Sequence, residues 1–224
     1  MDEKYIYPVN SNPYGIPYSE WSQKWWQWIL SIPINKNPNY ENPDKINWLI
    51  NQDLDSDVLF LFQRNTDYPS IETGNNWTLE IPKDKAIFTQ ISSGIYDYGD
   101  RQTNPTLDQT IRSEIDNELK KVISSNNNAF IKVMLDGNVI FYIGPTDESN
   151  KLKYRTQTGF FNISLPENNM WDEIPGTYRA FAEGYYLMLK PLSTGLHQLH
   201  YEVSVNTNVN KYAQEMIFNL LVKS

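Results

Sequence analysis

The stretch that decides the fold is residues 19–33, SEWSQKWWQWILSIP, which places four of the chain's seven tryptophans within eight positions. At about 100° per residue, Trp21, Trp25 and Trp28 follow the i, i+4, i+7 spacing of a single helical stripe. The spacing therefore predicts an amphipathic helix near 19–32.

The ends and the surface of this helix also follow from sequence. Ser19 is the predicted N-cap, and Pro33 stops the helix. Only Lys24 supplies positive charge, whereas a helix lying on a membrane carries several Lys or Arg on its polar face. We therefore favour a buried stripe over a ligand or partner surface. Trp26 lies beside the stripe, so we expect this ring at an edge or exposed, and we keep it as a candidate ligand-binding residue.

Beyond the first 56 residues the hydrophobic period changes to that of strands. A second amphipathic helix is predicted over 106–124. We predict a mainly β protein, an antiparallel β-sandwich of jelly-roll type with two flanking α-helices. An extended N-terminal arm, 1–18, precedes a single domain, 19–224. The predicted strand segments are 57–63, 76–82, 85–94, 130–144, 154–166, 184–192, 195–206 and 213–224.

Composition excludes several classes of function. The net charge is −8, and the 19 Lys and Arg residues are scattered, which argues against nucleic acid as a partner. The chain has no cysteine, so disulfides, thiolate metal sites and cysteine nucleophiles are ruled out. We expect no cofactor and no metal. No secretory signal or membrane-spanning run is visible. The expected compartment is cytoplasmic by default, or extracellular or on a particle surface if the sequence is a mature form.

Catalytic motifs are missing from the sequence. His197 and His200 are the only histidines, and their spacing on a predicted strand points them to opposite faces. We predict structural or surface roles for both. The run DLDSD, 53–57, is the nearest approach to a calcium loop, but we interpret it as the cap of a strand. These observations favour a protein without catalytic residues.

A loop rich in tyrosine and acids offers a candidate ligand site. In a sugar site, aromatic rings stack on the apolar face of the sugar and carboxylates accept its hydroxyls. The alternative is a solvated connection with an ordinary ion pair. The candidate residues are Tyr96, Asp97, Tyr98, Asp100 and Arg101.

The N-terminal arm offers a candidate surface for self-association through Tyr5, Tyr7 and Tyr14, because an extended arm can add to the sheet edge of a neighbour. Our leading hypothesis is a non-catalytic binding or self-assembling structural protein, such as a coat, filament or surface subunit. The alternative is a carbohydrate-binding module, or a glycosidase that uses loop carboxylates. The expected partner is a second copy of the chain or a carbohydrate, and a membrane is disfavoured.

Four segments carry a resemblance to a known family: YGIPYSEWSQKWWQWILSIP (14–33), IPKDKAIFTQI (81–91), VMLDGNVI (133–140) and GYYLMLKPLSTGLHQLHYEV (184–203). In this order they resemble an uncharacterised family of mostly exported hypothetical proteins, with the pattern Y-G-x-x-Y-x-E-W-x-x-x-W-W-x-W. The resemblance implies export, and it implies no activity for any residue.

Overall fold

The computed structural model describes residues 1–41, 46–63, 76–97, 109–110, 112–113, 130–206 and 211–224. Within that part of the chain the architecture is mainly β, with ten strands in two sheets. The helices are α1 (Tyr18–Leu30) and α2 (Glu148–Lys153), with short 3-10 helices at Pro13–Gly15 and Ile34–Lys36. The strands are β1 (Val58–Leu61), β2 (Asn76–Pro82), β3 (Ala86–Asp97), β4 (Phe130–Leu135), β5 (Asn138–Ile143), β6 (Arg155–Gln157), β7 (Phe161–Leu165), β8 (Gly176–Leu189), β9 (Gly195–Asn206) and β10 (Lys211–Lys223).

The two sheets have five described strands each. Sheet A has the order β1-β3-β8-β6, and β7 also pairs with β8. Sheet B has the order β2-β10-β9-β4-β5. The predicted mainly β, sandwich-like architecture is confirmed. Each sheet also contains one parallel pair, β1 with β3 and β2 with β10, which the sequence pattern did not predict.

Three layers follow from the packing of aromatic rings. On one face of sheet A, Phe88 contacts Tyr18 and Trp21 of α1, at centroid distances of 5.7 Å and 6.4 Å. At the end of β1, Phe62 lies 5.2 Å from Phe218 of sheet B. Leu59 and Leu61 of β1 and Ile87 of β3 alternate with these rings and are also buried, so sheet A is covered on both faces, with α1 on one of them. Residues 180–189 of β8 are accordingly all buried.

The Trp-rich helix begins one residue earlier than predicted. Ser19 is not the N-cap: α1 starts at Tyr18 after Pro17, which has φ −71°. The carbonyl of Pro17 accepts hydrogen bonds from the amides of Glu20 and Trp21, so the proline sets the start of the helix. The predicted end near Pro33 agrees with the last helical residue, Leu30.

The stripe prediction is confirmed, and the expectation for Trp26 is wrong. Trp21, Trp25 and Trp28 are 5%, 0% and 4% exposed. Trp26 is only 8% exposed, because its indole Nε1 donates to the Tyr186 hydroxyl on β8 at 2.8 Å. A polar partner inside the fold allows the fourth indole to be buried as well.

The N-terminal arm lies on its own domain. Ile6 is fully buried and forms an antiparallel bridge with Leu189 at the end of β8. The amide of Tyr7 donates to the carbonyl of Met188 at 3.0 Å. The amide of Asp2 reaches sheet B and donates to the carbonyl of Ile140 at 2.7 Å. The arm thus pairs with the end of β8 in sheet A and meets the edge strand β5 of sheet B.

Two further predictions concern turns and helices. The segment 130–144, given above as one strand segment, contains Asp136-Gly137, a short-range hairpin signal, and the structure forms a hairpin there: β4 pairs with β5, and the two turn residues have φ of 51° and 77°. Residues 109–110 and 112–113 have helical backbone, and the rest of the helix predicted over 106–124 lies outside the described residues. Among the helices that the structure describes, none has the length and apolar character that crossing a membrane requires.

Candidate functional site

A cleft of about 720 Å³ opens beside α1, between the end of the N-terminal arm and the segment 51–58. Its volume lies within the range of small-molecule sites, roughly 300–1,000 Å³. Aromatic side chains, carboxylates and amides all reach it. The lining residues include Tyr14, Trp21, Lys24, Gln27, Trp28, Asn51, Gln52, Asp53, Asp55, Asp57 and Phe60.

The floor of the cleft is a packed aromatic group. Phe60 of β1 lies 5.7 Å from Trp28 and 6.2 Å from Trp21. Hydrogen bonds hold both indoles in place. The Nε1 of Trp21 donates to the carbonyl of Pro13 at 3.1 Å, and the Nε1 of Trp28 donates to the carbonyl of Ile50 at 2.8 Å. The floor is thus apolar and rigid, since the helix, β1 and two loops hold it together.

Tyr14 projects at the mouth of the cleft in an unusual backbone conformation. Its φ and ψ are 57° and 29°, in the left-handed region, and Gly15 follows with φ 77°. Every other non-glycine residue with positive φ in the described part of the chain is Asn or Asp. For a bulky side chain this region costs about 1–2 kcal/mol. Such strain is found at functional sites, where it places a side chain that no relaxed backbone would place.

The ring of Tyr14 is both exposed and supported. It is 40% exposed, and it packs edge-on against Tyr7 at 5.8 Å. Partial burial raises the pKa of the Tyr14 phenol above its usual range, and the hydrogen bond between the Tyr14 and Tyr7 hydroxyls at 3.4 Å and the charge of Asp57 act in the same direction. The phenol is therefore neutral at physiological pH, and it lines the same cleft as Asp57.

Three aspartates form the acidic wall of the cleft. Asp53, Asp55 and Asp57 are all exposed. One carboxylate oxygen of Asp53 accepts a hydrogen bond from the amide of Asp55 at 3.1 Å, which shapes the loop. The strand cap that we predicted for this run is supplied by Ser56, whose Oγ accepts from the amide of Val58 at 3.2 Å.

Amide side chains complete the lining. Gln52 bonds to both the amide and the carbonyl of Phe60, at 2.7 Å and 3.0 Å, and so ties the acidic loop to β1. On the helix, Gln27 donates to the carbonyl of Asn162 at 2.8 Å. Asn51 has a φ of 59° and reaches Ser31 at the end of α1. The two sides of the cleft are thus joined by hydrogen bonds at its edge.

Most of the loop site predicted from sequence lies outside the described residues. Tyr96 is half-buried near the end of β3, not in a loop. Asp97 is the last residue of that strand, and its side chain lies outside the described part of the chain, as do Tyr98, Asp100 and Arg101. Trp26 is buried on α1 and bonded to Tyr186, so it is not an exposed ligand platform.

The three tyrosines predicted for self-association all lie on the N-terminal arm. Tyr5 and Tyr7 are half-buried where the arm meets β8, and Tyr14 faces the cleft. The sequence pattern did not predict the cleft itself, although DLDSD and Tyr14 both stand out in the sequence. In DLDSD the acids at every second position are a visible sequence signal, but no local pattern indicates that these residues lie beside an aromatic floor.

A second polar group joins two turns on sheet B. His197 Nδ1 lies 2.8 Å from Asp136 Oδ2, and His197 Nε2 lies 3.1 Å from Ser193 Oγ. The connectivity resembles that of a Ser-His-Asp triad. Nε2 also lies 3.0 Å from the Ser193 carbonyl, which can only accept, and Asp136 Oδ1 accepts from the amide of Gln198. Nε2 thus lies as close to the Ser193 carbonyl as to the Ser193 hydroxyl, so the geometry does not single out the hydroxyl as its partner. We interpret the group as a turn clamp.

A third group lies on the outer face of sheet B. Ligand atoms of His200, Glu202 and Glu215 lie within 4.8 Å of one another. Lys132 Nζ already contacts Glu202 Oε1 at 3.0 Å. Polar contacts among the histidine, the lysine and the two carboxylates therefore account for this group.

Comparisons with known proteins add little. No family model matches the sequence, and no curated protein matches it. A solved structure of a cysteine protease inhibitor from Entamoeba histolytica is similar over 74% of this chain and 94% of its own, with 12% identity and a TM-score of 0.24. At that TM-score the likeness supports no inference about fold or function.

Proposed function

We propose that the protein is a non-catalytic binding protein that holds a carbohydrate in the cleft beside α1. The observation that carries the proposal is Tyr14, an exposed ring kept in a strained backbone conformation at the mouth of the cleft. An exposed aromatic ring can stack on the apolar face of a sugar. Strain at this residue is explained if the ring serves a ligand, since the fold alone gains little from it.

The other lining groups support the same ligand class. Gln27 and Asn51 are exposed amides, able to donate and accept, and the aspartates accept hydroxyl hydrogens. A sugar presents hydroxyls around an apolar ring, so it needs this combination. The packed floor is already in place, which lowers the ordering cost of binding.

The same residues argue against a glycosidase. Glycoside hydrolysis needs one carboxylic acid held protonated in apolar surroundings beside a second carboxylate. Asp53, Asp55 and Asp57 are all exposed, which suits hydrogen-bond acceptors. Self-assembly through the arm stays a prediction, and light scattering after size-exclusion chromatography would contradict it by finding a monomer.

The test is a glycan array followed by calorimetry with the best-bound oligosaccharide. Tyr14→Ala should weaken binding about tenfold, because it removes the stacking ring. Tyr142→Ala is the matched control, since Tyr142 is 47% exposed on sheet B, away from the cleft. Binding by Tyr14→Ala that equals the wild type, or an array with no bound glycan, would overturn the proposal.

A further inference from the structure

The charge of the cleft restricts its ligand further. Its lining contains three carboxylates, Asp53, Asp55 and Asp57, against one ammonium, Lys24, so negative charge predominates. Lys24 itself lies 3.9 Å from Glu20 on the same helix, so its charge is shared. Among the described residues no ion pair reaches any of the three aspartates.

A second cation beside the acidic loop, Lys85, is directed elsewhere. Lys85 Nζ donates to the carbonyls of Leu54 and Ser56, at 2.9 Å and 2.6 Å. It therefore supports the backbone of the acidic loop and does not line the cleft. The carboxylates remain available on the cleft side of that loop.

A single metal ion does not explain these carboxylates. Within the described residues, the set whose ligand atoms lie within 4.8 Å of one another is His200, Glu202 and Glu215, and the cleft aspartates form no such set. A divalent cation needs several oxygens around one point. Carboxylates spread along a loop instead suit several separate positive charges.

Aromatic rings favour the same kind of ligand. The negative face of an aromatic ring attracts an ammonium group. Tyr14 is exposed at the mouth, and its ring lines the same cleft as the Asp57 carboxylate. Phe60 extends the aromatic surface along the floor.

We infer that the cleft selects amino-sugar oligomers, whose amines are protonated, over their N-acetylated and carboxylated counterparts. This inference rests on the proposed carbohydrate function. The amines would meet the aspartates while the sugar rings meet Tyr14. Uronic acids would be repelled by the same wall.

The test compares matched oligosaccharides by calorimetry with the full chain. The probes are hexamers of β-1,4-linked glucosamine, of N-acetylglucosamine and of galacturonate, at about pH 5.5, where carboxyl groups exposed to water are ionised and the sugar amines are protonated. We expect the glucosamine hexamer to bind at least about tenfold more tightly than the acetylated hexamer, and galacturonate not to bind. The advantage should disappear in about 0.5 M NaCl, because exposed charges are screened.

Variants localise the effect. Asp53→Asn/Asp55→Asn/Asp57→Asn should remove the preference for the amino form, so that the glucosamine hexamer binds this variant no more tightly than the acetylated hexamer does. Glu3→Gln/Glu167→Gln/Glu173→Gln changes the net charge equally at exposed positions away from the cleft, and should keep the preference.

The outcomes separate the two proposals. If the acetylated hexamer binds as tightly as the amino hexamer, or if the control triple variant also loses the preference, the charge inference fails and the carbohydrate function stands. If spermidine binds as tightly as the glucosamine hexamer, the site recognises amines and the carbohydrate part is overturned. If no oligosaccharide binds, both proposals fail.

Discussion

Sheet A and sheet B are built from similar strands but occupy different environments. Sheet A is covered on both faces, and residues 180–189 of β8 are buried without a break. Sheet B exposes one face, so β9 alternates between buried Leu199, Tyr201 and Val203 and more exposed residues between them. Because α1 covers a second face of sheet A, we expect substitutions in sheet A to destabilise the protein more than substitutions on the exposed face of sheet B.

Each sheet contains an ion pair, and the exposure of the two pairs shows how the environments differ. Glu183 of sheet A pairs with Arg155, and their side chains are 5% and 11% exposed. Glu202 of sheet B pairs with Lys132, at 28% and 29% exposure. Removing one partner leaves a charge stranded only where water cannot reach it.

The largest expected effect concerns the helix that covers sheet A. Trp25→Ala should lower the free energy of unfolding by about 4 kcal/mol, because a fully buried indole leaves a cavity. It also removes the donor to the Leu61 carbonyl, which accepts from Nε1 at 2.8 Å. Urea denaturation measures the change, and Tyr142→Ala on sheet B should cost less than about 1 kcal/mol. Equal costs would show that the two sheets do not differ.

The second effect tests the two ion pairs. Glu183→Ala should destabilise the protein by about 3 kcal/mol, since Arg155 and Gln157 both lose the buried carboxylate that they contact. Glu202→Ala should cost about 0–1 kcal/mol, because the Lys132 ammonium returns to water. Thermal unfolding of both variants beside the wild type gives the comparison. A Glu202→Ala cost as large as that of Glu183→Ala would contradict the assignment of the two environments.

The third effect is a pH dependence. Burial raises the pKa of Tyr18 and of Tyr186 above the usual value, which is about 10 in the unfolded chain. The folded state keeps these protons where the unfolded state loses them, so stability is complete below about pH 10 and falls as pH rises. At about pH 11 each tyrosine should cost about 1.4 kcal/mol.

Denaturation at about pH 8 and about pH 11 checks this slope. The loss should be smaller in Tyr186→Phe than in the wild type, and unchanged in Tyr142→Phe, where the ring is exposed. A slope that does not change in Tyr186→Phe would mean that the buried hydroxyl is not responsible.

The smallest effect concerns the strained residue at the cleft. Tyr14→Gly should leave stability unchanged or raise it by up to about 1 kcal/mol, since glycine adopts a positive φ without penalty. The same variant should weaken ligand binding about tenfold, as Tyr14→Ala does, because both remove the stacking ring. A marked loss of stability would show that Tyr14 serves the fold rather than the ligand.

Part of this structure follows from sequence. Alternation along 195–206 predicts the half-buried strand β9, and Asp136-Gly137 predicts the hairpin, because both signals are local. The helical stripe of Trp21, Trp25 and Trp28 is local as well. The hydrogen bond between Trp26 and Tyr186 could not be predicted in this way, because Tyr186 lies far along the chain and no local pattern indicates that the two residues meet.

The candidate site is harder to predict for the same reason. Tyr14, Gln27 and Asp57 are separated along the chain, and only packing of the arm, α1 and β1 brings them to one cleft. The left-handed conformation of Tyr14 contradicts its propensity, so the sequence pattern places it in a relaxed, extended arm. Departures of this kind are expected at functional sites.

The hydrogen bond from Trp26 to Tyr186 also has a consequence for biosynthesis. The two residues are 160 positions apart, so the ribosome must add 160 residues after Trp26 before its partner exists. Until then the apolar face of α1 lacks β8, and contacts of such long range slow folding and leave apolar surface open to aggregation. The tryptophan stripe of α1 therefore cannot be fully buried until β8 has been synthesised.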